Sequence, residues 1–320
     1  MKGMFKTTFL SLMILVLVFT VQLPTPVVAA GLPDEANDNP VPTAGTGREQ
    51  VIHDQVNKST AEQKRAFGGE QYSTGRFERP FDQEMTYLPY LDIVKSTMQR
   101  EDKDFIYVTL QLAAPVSESA DKPARYGLTL DPNLDGRSEF LILAQKPVNS
   151  EWTVTGVDVW ESSSASKPLA SENGPIPVTG SNGYEVNLFS SGKGTQTGLA
   201  WVRLSPDKPD TVEIAFLNSM IGGEKSRFVW RPVTDGADYA STVYDLNVSY
   251  TIEQAGSPLG DSAFYPLKEV FAVDSTCRVA SGYTASGNEP GLCPLPAAPD
   301  RPDEPSSPTT PRQPPPNILG

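Results

Sequence analysis

An alternation of apolar and polar residues recurs about every 10 to 20 residues between positions 86 and 252, and it constrains this chain more than any other feature. In Phe105–Leu112, one face carries Ile106, Val108, Leu110 and Leu112. Because successive side chains of a strand point to opposite faces, this spacing predicts one buried and one solvent-facing side, as in antiparallel sheets. The same spacing recurs at residues 126–130, 184–188, 200–204, 212–216 and 244–250.

Two further apolar runs add detail to this pattern. Phe140–Ala144 is apolar on both faces, which is typical of a central strand. In Trp152–Trp160 the apolar phase changes at Gly156, which predicts a β-bulge, a core position for Trp152 and an outward position for Trp160. Together the runs predict an all-β fold, an antiparallel β-sandwich of jelly-roll or immunoglobulin-like type with about nine to eleven strands.

The first 30 residues have the order of a secretory signal peptide. Lys2 and Lys6 precede the apolar run Phe9–Val21, and small residues end the segment at Ala30. The apolar run is shorter than the ~20 residues that span a bilayer. Residues 1–30 are therefore predicted to be a cleaved signal peptide, with a retained membrane anchor as the alternative. The prediction makes the protein secreted, with no membrane span in the mature chain.

Composition divides the rest of the chain. Residues 31–85 are polar and poor in large aliphatic side chains, so we expect a disordered linker segment there. Residues 86–275 carry the strand pattern and are the predicted sandwich domain, and residues 276–293 form a short extension. Residues 294–320 contain ten prolines and are predicted to be an extended, disordered tail.

Charge and residue counts exclude several classes of function. The formal charge of −13 opposes binding to nucleic acid and to anionic lipid. One histidine and two cysteines exclude multi-histidine metal sites, four-cysteine zinc sites and iron–sulfur clusters. The histidine, His53, also lies in the predicted linker, where it cannot serve a Ser-His-Asp triad. We therefore expect a non-catalytic protein, and we expect it to be a monomer.

The two cysteines, Cys277 and Cys293, lie near the end of the predicted fold. In an exported protein such a pair is expected to form a disulfide. The enclosed loop is rich in turn residues and has little apolar surface to pack, and a covalent link contributes most to stability in such a loop. Two free, reactive thiols are the alternative.

The segment Asp131-Pro-Asn-Leu-Asp-Gly-Arg137 carries the sharpest local motif. Oxygen-bearing side chains alternate before Gly136, as in the first half of an EF-hand calcium loop, although Ile142 stands where that loop has its bidentate Glu. A hairpin turn whose Asp and Asn side chains accept from their own backbone is the alternative. The motif predicts a structural calcium ion held by the side chains of Asp131, Asn133, Asp135 and Glu139 and by the carbonyl of Arg137.

The tryptophans are the candidate ligand-binding residues. Trp160 and Trp201 stand at strand positions opposite to the aliphatic ones, and Arg203 shares the face of Trp201. Exposed aromatic rings stack on the apolar C–H faces of sugars while neighbouring polar groups bind the hydroxyls. These three residues are therefore predicted to bind ligand, whereas Trp230 is predicted to lie in the core. The alternative is that a second packed sheet, or a loop, covers these rings.

Residues 102–145 resemble exported bacterial β-sandwiches of the DOMON and family 9 carbohydrate-binding-module type. The resemblance rests on the strand Asp104–Leu112, on Tyr126-Gly-Leu-Thr-Leu running into Asp131-Pro-Asn-Leu-Asp-Gly-Arg, and on the apolar strand that follows. It implies a β-sandwich, a structural calcium ion, and binding of a sugar or a redox group. A haem group needs axial His or Met ligands, and residues 86–275 contain no His, so sugar is favoured.

The sequence thus predicts a secreted, acidic, non-catalytic β-sandwich that binds an extracellular glycan or another cell-surface polymer. The alternative is a secreted glycoside hydrolase-like enzyme, or a hydrolase accessory protein, that uses surface carboxylates. An open aromatic face favours binding, whereas a deep cleft that holds two carboxylates about 5–10 Å apart favours the enzyme.

Overall fold

The computed structural model of the chain describes residues 41–64, 77–163, 183–194, 198–256, 267–286 and 292–293. The predicted signal peptide over residues 1–30 and the predicted tail over residues 294–320 lie outside these ranges. Within the described ranges, no helix is both long enough and apolar enough to cross a membrane.

The strands of the described ranges are β1 (Glu49–His53), β2 (Ile93–Gln99), β3 (Phe105–Leu112), β4 (Arg125–Asp131), β5 (Phe140–Gln145), β6 (Val157–Glu161), β7 (Val186–Ser190), β8 (Lys193–Gly194), β9 (Ala200–Leu204), β10 (Thr211–Leu217), β11 (Phe228–Asp235), β12 (Val273–Ser275) and β13 (Val279–Ser281). They form two antiparallel sheets. The first sheet has five strands in the order β1-β2-β3-β10-β9. The second has eight, in the order β12-β11-β4-β5-β6-β7-β8, with β13 also paired to β11.

The main core lies between the two sheets and confirms the alternation. Val108 of β3 and Leu128 of β4 are fully buried in one apolar cluster, and Trp230 of β11 lies there as predicted. Along β3 and β4 the same cluster takes every second side chain, namely Ile106, Val108, Leu110, Leu112, Tyr126, Leu128 and Leu130. The chain is therefore an all-β sandwich, as predicted.

The outer face of each sheet carries a smaller apolar cluster. Phe105, Tyr107 and Trp201 pack on the outer face of the first sheet. Leu141 and Leu143 of β5 pack on the outer face of the second, which explains why this strand is apolar on both sides. Both sheets are therefore covered on part of their outer surface.

The phase change at Gly156 marks a change of sheet. Thr153 pairs with Val202 of β9 in the first sheet, through N–H···O distances of 3.0 and 2.9 Å. Gly156 has a φ of +76°, and Val157 then begins β6 in the second sheet. The β-bulge predicted at Gly156 is therefore replaced by a turn between sheets, because positive φ lets the chain reverse where a side chain would strain it.

Short helices occupy part of the connections: α1 (Lys58–Glu62), α2 (Leu246–Ser249), α3 (Ile252–Ala255) and the 3₁₀ turns Val116–Ser119, Asn218–Ile221 and Ser241–Val243. The strand predicted over residues 244–250 is wrong. Its apolar residues instead pack onto the outer face of the second sheet, Tyr244 buried and Leu246 and Tyr250 partly so. A capping box at Thr251 and Gln254 starts α3, which favours helix over strand at this point.

The described parts of residues 31–85 belong to the fold, contrary to the linker prediction. β1 pairs with β2 from Glu49↔Gln99 to His53↔Lys95, and Ile52 is only 3 % exposed. Phe81 is fully buried in a separate cluster. Low apolar content shows that a segment cannot build its own core, but single side chains can still pack into a core built by the rest of the chain.

Candidate functional site

The predicted calcium loop connects two neighbouring strands of the second sheet. β4 ends at Asp131 and β5 begins at Phe140, and their pairing extends to Leu130↔Phe140. The N–H of Glu139 donates to the carbonyl of Leu130 at 2.8 Å, which closes the loop at its base. Residues 131–139, called the acidic loop below, therefore have fixed ends on a buried part of the sheet.

The oxygen-bearing side chains of the acidic loop bind the loop's own backbone. Asp131 accepts from the N–H of Leu134 at 2.6 Å, and Asn133 accepts from the N–H of Asp135 at 2.8 Å. Asp135 in turn accepts from the N–H of Arg137 at 2.9 Å. This is the arrangement expected for Asx turns. It orders the loop, but it engages only part of each side chain.

Three carboxylates of the acidic loop converge. Each of Asp131, Asp135 and Glu139 places one oxygen within 4.8 Å of the oxygens of the other two. The side-chain amide of Asn133 donates to Asp135 at 3.2 Å and to Glu139 at 2.6 Å. Three of the five predicted calcium ligands therefore bring their oxygens together, and Asn133 contacts two of them through its amide nitrogen.

The charge of these carboxylates is only partly balanced. Burial, followed by the negative charges of Asp131 and Asp135, raises the pKa of Glu139 to about 8. A carboxyl with such a pKa gains more from a nearby cation than an ordinary surface carboxyl does. Hard cations such as Ca²⁺ take six to eight oxygen ligands, so a bound ion here would need backbone or water oxygens besides these side chains.

Arg137, the predicted fifth ligand, contacts its neighbours through its backbone N–H and its guanidinium. Its N–H donates to Asp135, and its guanidinium lies 3.8 Å from the carboxylate of Asp245. A calcium contact through its carbonyl stays a prediction.

Arg278 is part of this site and was not predicted from the sequence. Its guanidinium donates to the carboxylate of Asp131, and also to the carbonyl of Gly136 at 3.0 Å. Burial raises the pKa of Asp131, and the charge of Arg278 opposes this rise. The two residues are 147 positions apart, so no local pattern connects them. The only sequence signal was the position of Arg278 directly after Cys277.

The disulfide predicted between Cys277 and Cys293 is present and holds Arg278 in place. The Cα atoms of the two cysteines are 4.9 Å apart. The N–H of Cys293 donates to the carbonyl of Arg278 at 2.8 Å, and Arg278 also forms a β-bridge with Leu292. The covalent link therefore fixes the backbone from which the Arg278 side chain reaches the acidic loop.

The prediction of an exposed ring at Trp201 is wrong. Trp201 is on the outer face of the first sheet, as predicted from its strand position opposite to the aliphatic residues, but it is only 6 % exposed. Its ring packs edge-on against Phe105, at 5.4 Å between centroids. A T-shaped contact of this kind is a favourable packing geometry for aromatic side chains. Trp201 is therefore a packing residue of this face rather than an open platform for a sugar.

Arg203 and Trp152 lie together beside Trp201. The guanidinium of Arg203 is 4.4 Å from the centre of the Trp152 ring and donates to Glu213 at 2.7 Å. Trp152 is half-buried on this outer face instead of in the core, and its ring N–H donates to the carbonyl of Thr43. Residues near position 43 therefore cover part of the face on which a sugar was expected to stack.

Trp160 keeps part of its ring accessible. It is half-buried and packs at the margin of the apolar cluster on the outer face of the second sheet, while Val157 and Val159 point into the core. Two residues later, the N–H of Ser162 donates to the carbonyl of Glu139 at 2.8 Å. Of the predicted ligand-binding residues, Trp160 is thus the one that lies beside the acidic loop.

Comparison with known proteins adds no relative to this description. No protein-family model, curated protein or solved structure matches the chain.

Proposed function

We propose that this chain is an exported, non-catalytic β-sandwich module that binds Ca²⁺ in its acidic loop and binds a carbohydrate or another extracellular polymer beside that loop. The observation that carries the proposal is the convergence of Asp131, Asp135 and Glu139, whose carboxylate oxygens lie within 4.8 Å of one another. Acidic oxygen ligands on a short turn are the donor set that calcium prefers.

A structural role for the ion follows from where the loop lies. The ion would join the end of β4 to the start of β5, and Ser162 after β6 is hydrogen-bonded to Glu139 of the same loop. Binding would replace carboxylate repulsion by attraction to a shared cation. Because the unfolded chain does not hold these ligands together, calcium would stabilise the fold by mass action.

Export is supported by the disulfide between Cys277 and Cys293. Disulfides persist in oxidising compartments outside the cytosol and are rare within it. The formal charge of −13 also suits a protein that works in solution near a neutral polymer better than one that binds nucleic acid.

A polymer-binding role is supported by the half-buried side chain of Trp160. It lies near the end of β6, two residues before Ser162, which is hydrogen-bonded to Glu139 of the acidic loop. A partly exposed tryptophan offers an apolar face for a sugar, and polar loop groups lie nearby to bind hydroxyls. The carboxylates with the most strongly raised pKa outside the acidic loop, such as that of Asp274, are buried beneath the surface. That burial favours binding over the hydrolase alternative.

The test is a glycan array probed with the full exported chain, in calcium and in chelator. We expect binding in calcium, weaker binding in chelator, and at least tenfold weaker binding for Trp160→Ala. Val148→Ala is the matched control, since Val148 is 76 % exposed and lies elsewhere on the surface. Folded wild-type chain that binds no glycan, or Trp160→Ala that binds like wild type, would contradict the proposed binding surface.

A further inference from the structure

A short segment before β1 lies across the outer face of the first sheet. Residues 41–47, called the covering segment below, contain neither helix nor strand. Pro42 is buried, whereas Val41 and Thr43 on either side of it are exposed. Pro42 is therefore the side chain by which this segment packs against the protein.

Thr43 is bound through its backbone by two aromatic side chains. Its N–H donates to the hydroxyl of Tyr107 at 3.2 Å, and its carbonyl accepts from the ring N–H of Trp152. The centres of the two rings are 6.1 Å apart. Because Thr43 itself is exposed, the rings bind the peptide that follows a proline and do not select the side chain at that position.

The next residues of the covering segment also approach the face through their backbone. At Gly45 the backbone lies so close that an added Cβ atom would be 3.0 Å from the Cβ of Tyr107. Directly after the segment, the N–H of Arg48 donates to Glu101 at 3.1 Å. A segment held in this way can be exchanged for another that offers a proline and the same backbone groups.

The two rings are fixed by contacts other than those with the covering segment. Tyr107 belongs to β3, which is paired on both sides, with β2 and with β10. Trp152 precedes the bridge to β9, and the guanidinium of Arg203, bound to Glu213 at 2.7 Å, lies 4.4 Å from the centre of its ring. The rings therefore form a surface that is already in place when a segment binds, which lowers the cost of binding.

Aromatic grooves that bind an extended, proline-containing segment are a recurring mode of peptide recognition. This chain contains a second segment of the required kind after Cys293. Its prolines occur at every third position, namely Pro296, Pro299, Pro302, Pro305, Pro308, Pro311 and Pro314. Three residues complete one turn of a polyproline II helix, so this spacing predicts a proline on the same edge at every turn.

The end of the described chain lies on the side of the protein from which the covering segment starts. The N–H of Cys293 donates to the carbonyl of Arg278, and the carbonyl of Ala280, two residues later, accepts from the side chain of Gln50 in β1 at 2.6 Å. Residues 294–320 extend to about 80 Å as a polyproline II helix, which exceeds the reach needed on one domain. Attachment to the same chain also raises their effective concentration at the surface.

We propose that the surface formed by Tyr107 and Trp152 is a docking site for polyproline, and that residues 296–314 of the same chain exchange there with the covering segment. Each unit of the repeat offers a proline followed by a free N–H and carbonyl, as Pro42 and Thr43 do. Pro308-Thr309 repeats that dipeptide. This inference does not rest on the proposed calcium or carbohydrate binding, since it shares no residue with either site.

The test is fluorescence anisotropy with a labelled synthetic peptide of residues 296–314, titrated with the full exported chain. A tail variant, Pro305→Ala with Pro308→Ala and Pro311→Ala, breaks the chain's own repeat. We expect the tail variant to bind the peptide more tightly than wild type does, because its own tail no longer competes. A peptide of the same composition without the three-residue spacing should not bind.

Substitutions added to the tail variant separate exchange from a purely structural contact. Trp152→Phe keeps a ring but removes its N–H, and it should weaken peptide binding about tenfold. Pro42→Ala weakens the competing covering segment and should tighten peptide binding. Tyr126→Phe is the matched control, because it removes one hydrogen bond, to the carbonyl of Tyr90, in the core away from this surface.

A folded tail variant that does not bind the peptide would overturn the proposal, and so would equal binding of the peptide without the spacing. Equal affinity in wild type and in the tail variant would overturn the chain's own tail as the occupant. Unchanged affinity in Trp152→Phe would overturn this surface as the site. Melting temperatures of all variants check that they are folded.

Discussion

At the scale of single residues, Asp131 connects the acidic loop to the rest of the protein. Its carboxylate accepts from two loop amides, those of Leu134 and Gly136, and also from the guanidinium of Arg278. It is 1 % exposed, and the side chain of Arg278 is 9 % exposed. Among the residues that the structure describes, no ion pair joins Asp135 or Glu139 to a basic side chain. The three carboxylates of the loop therefore have different roles.

Asp131→Asn should lower the free energy of unfolding in chelator by about 3 kcal/mol, because it leaves the buried charge of Arg278 without its partner. In calcium the loss should be larger, because a ligand of the proposed ion is removed as well. Urea unfolding measures the loss. Asp135→Asn is the matched control and should change stability in chelator by less than about 1 kcal/mol, as is usual for a partly exposed side chain. Equal losses in the two variants would show that the ion pair with Arg278 contributes little.

At the scale of elements, two segments outside the predicted sandwich are held to it by specific contacts. β1 adds an edge strand to the first sheet, and the side chain of its Gln50 accepts from the ring N–H of Trp230 at 3.0 Å. The segment closed by the disulfide pairs with β11 through β13 and carries Arg278 to the acidic loop. Both segments are therefore parts of the fold.

Ile52→Ala should lower the free energy of unfolding by about 2 to 4 kcal/mol, the usual cost of truncating a buried aliphatic side chain. Val51→Ala, on the opposite face of the same strand and 42 % exposed in wild type, should cost at most about 0.5 kcal/mol. Thermal or urea unfolding measures both. If residues 49–53 were a disordered linker, neither substitution would change stability.

Removing the disulfide with Cys277→Ser and Cys293→Ser should lower the free energy of unfolding by about 3 kcal/mol, because the bond restricts a loop of about 15 residues in the unfolded chain. Reductant should produce a similar loss in wild type and none in the double variant. Wild-type stability that does not respond to reductant would contradict a structural role for this bond.

At the scale of the whole molecule, the sequence predicted what depends on local periodicity. The inward and outward sides of Phe105–Leu112 and the oxygen-rich turn after Leu130 both follow from side-chain spacing. The contact of Arg278 with Asp131 and that of Ile93 with Asp274 join residues 147 and 181 positions apart, so spacing carries no signal for them. Trp201 shows the same limit of prediction from spacing. Its position in the strand predicted which face of the sheet it lies on, but only the folded chain showed which residues cover that face.

The acidic loop is the feature on which the account of function depends most. Its carboxylates converge and its ends are fixed on β4 and β5, so a bound ion would act on the stability of the whole sandwich. Any divalent cation also screens a chain with a formal charge of −13. A specific effect of calcium must therefore exceed that of magnesium at the same concentration.

The most direct measurement is the melting temperature of wild type and of Asp135→Ala in calcium, in magnesium and in chelator. We predict that calcium raises the wild-type melt well above its value in magnesium, equivalent to ~2.7 kcal/mol at a hundredfold excess over the dissociation constant. In Asp135→Ala, calcium should raise the melting temperature less than in wild type, because the acidic loop has lost a ligand. A wild-type melt that is the same in calcium and in chelator, or an equal rise in Asp135→Ala, would contradict calcium binding by the acidic loop.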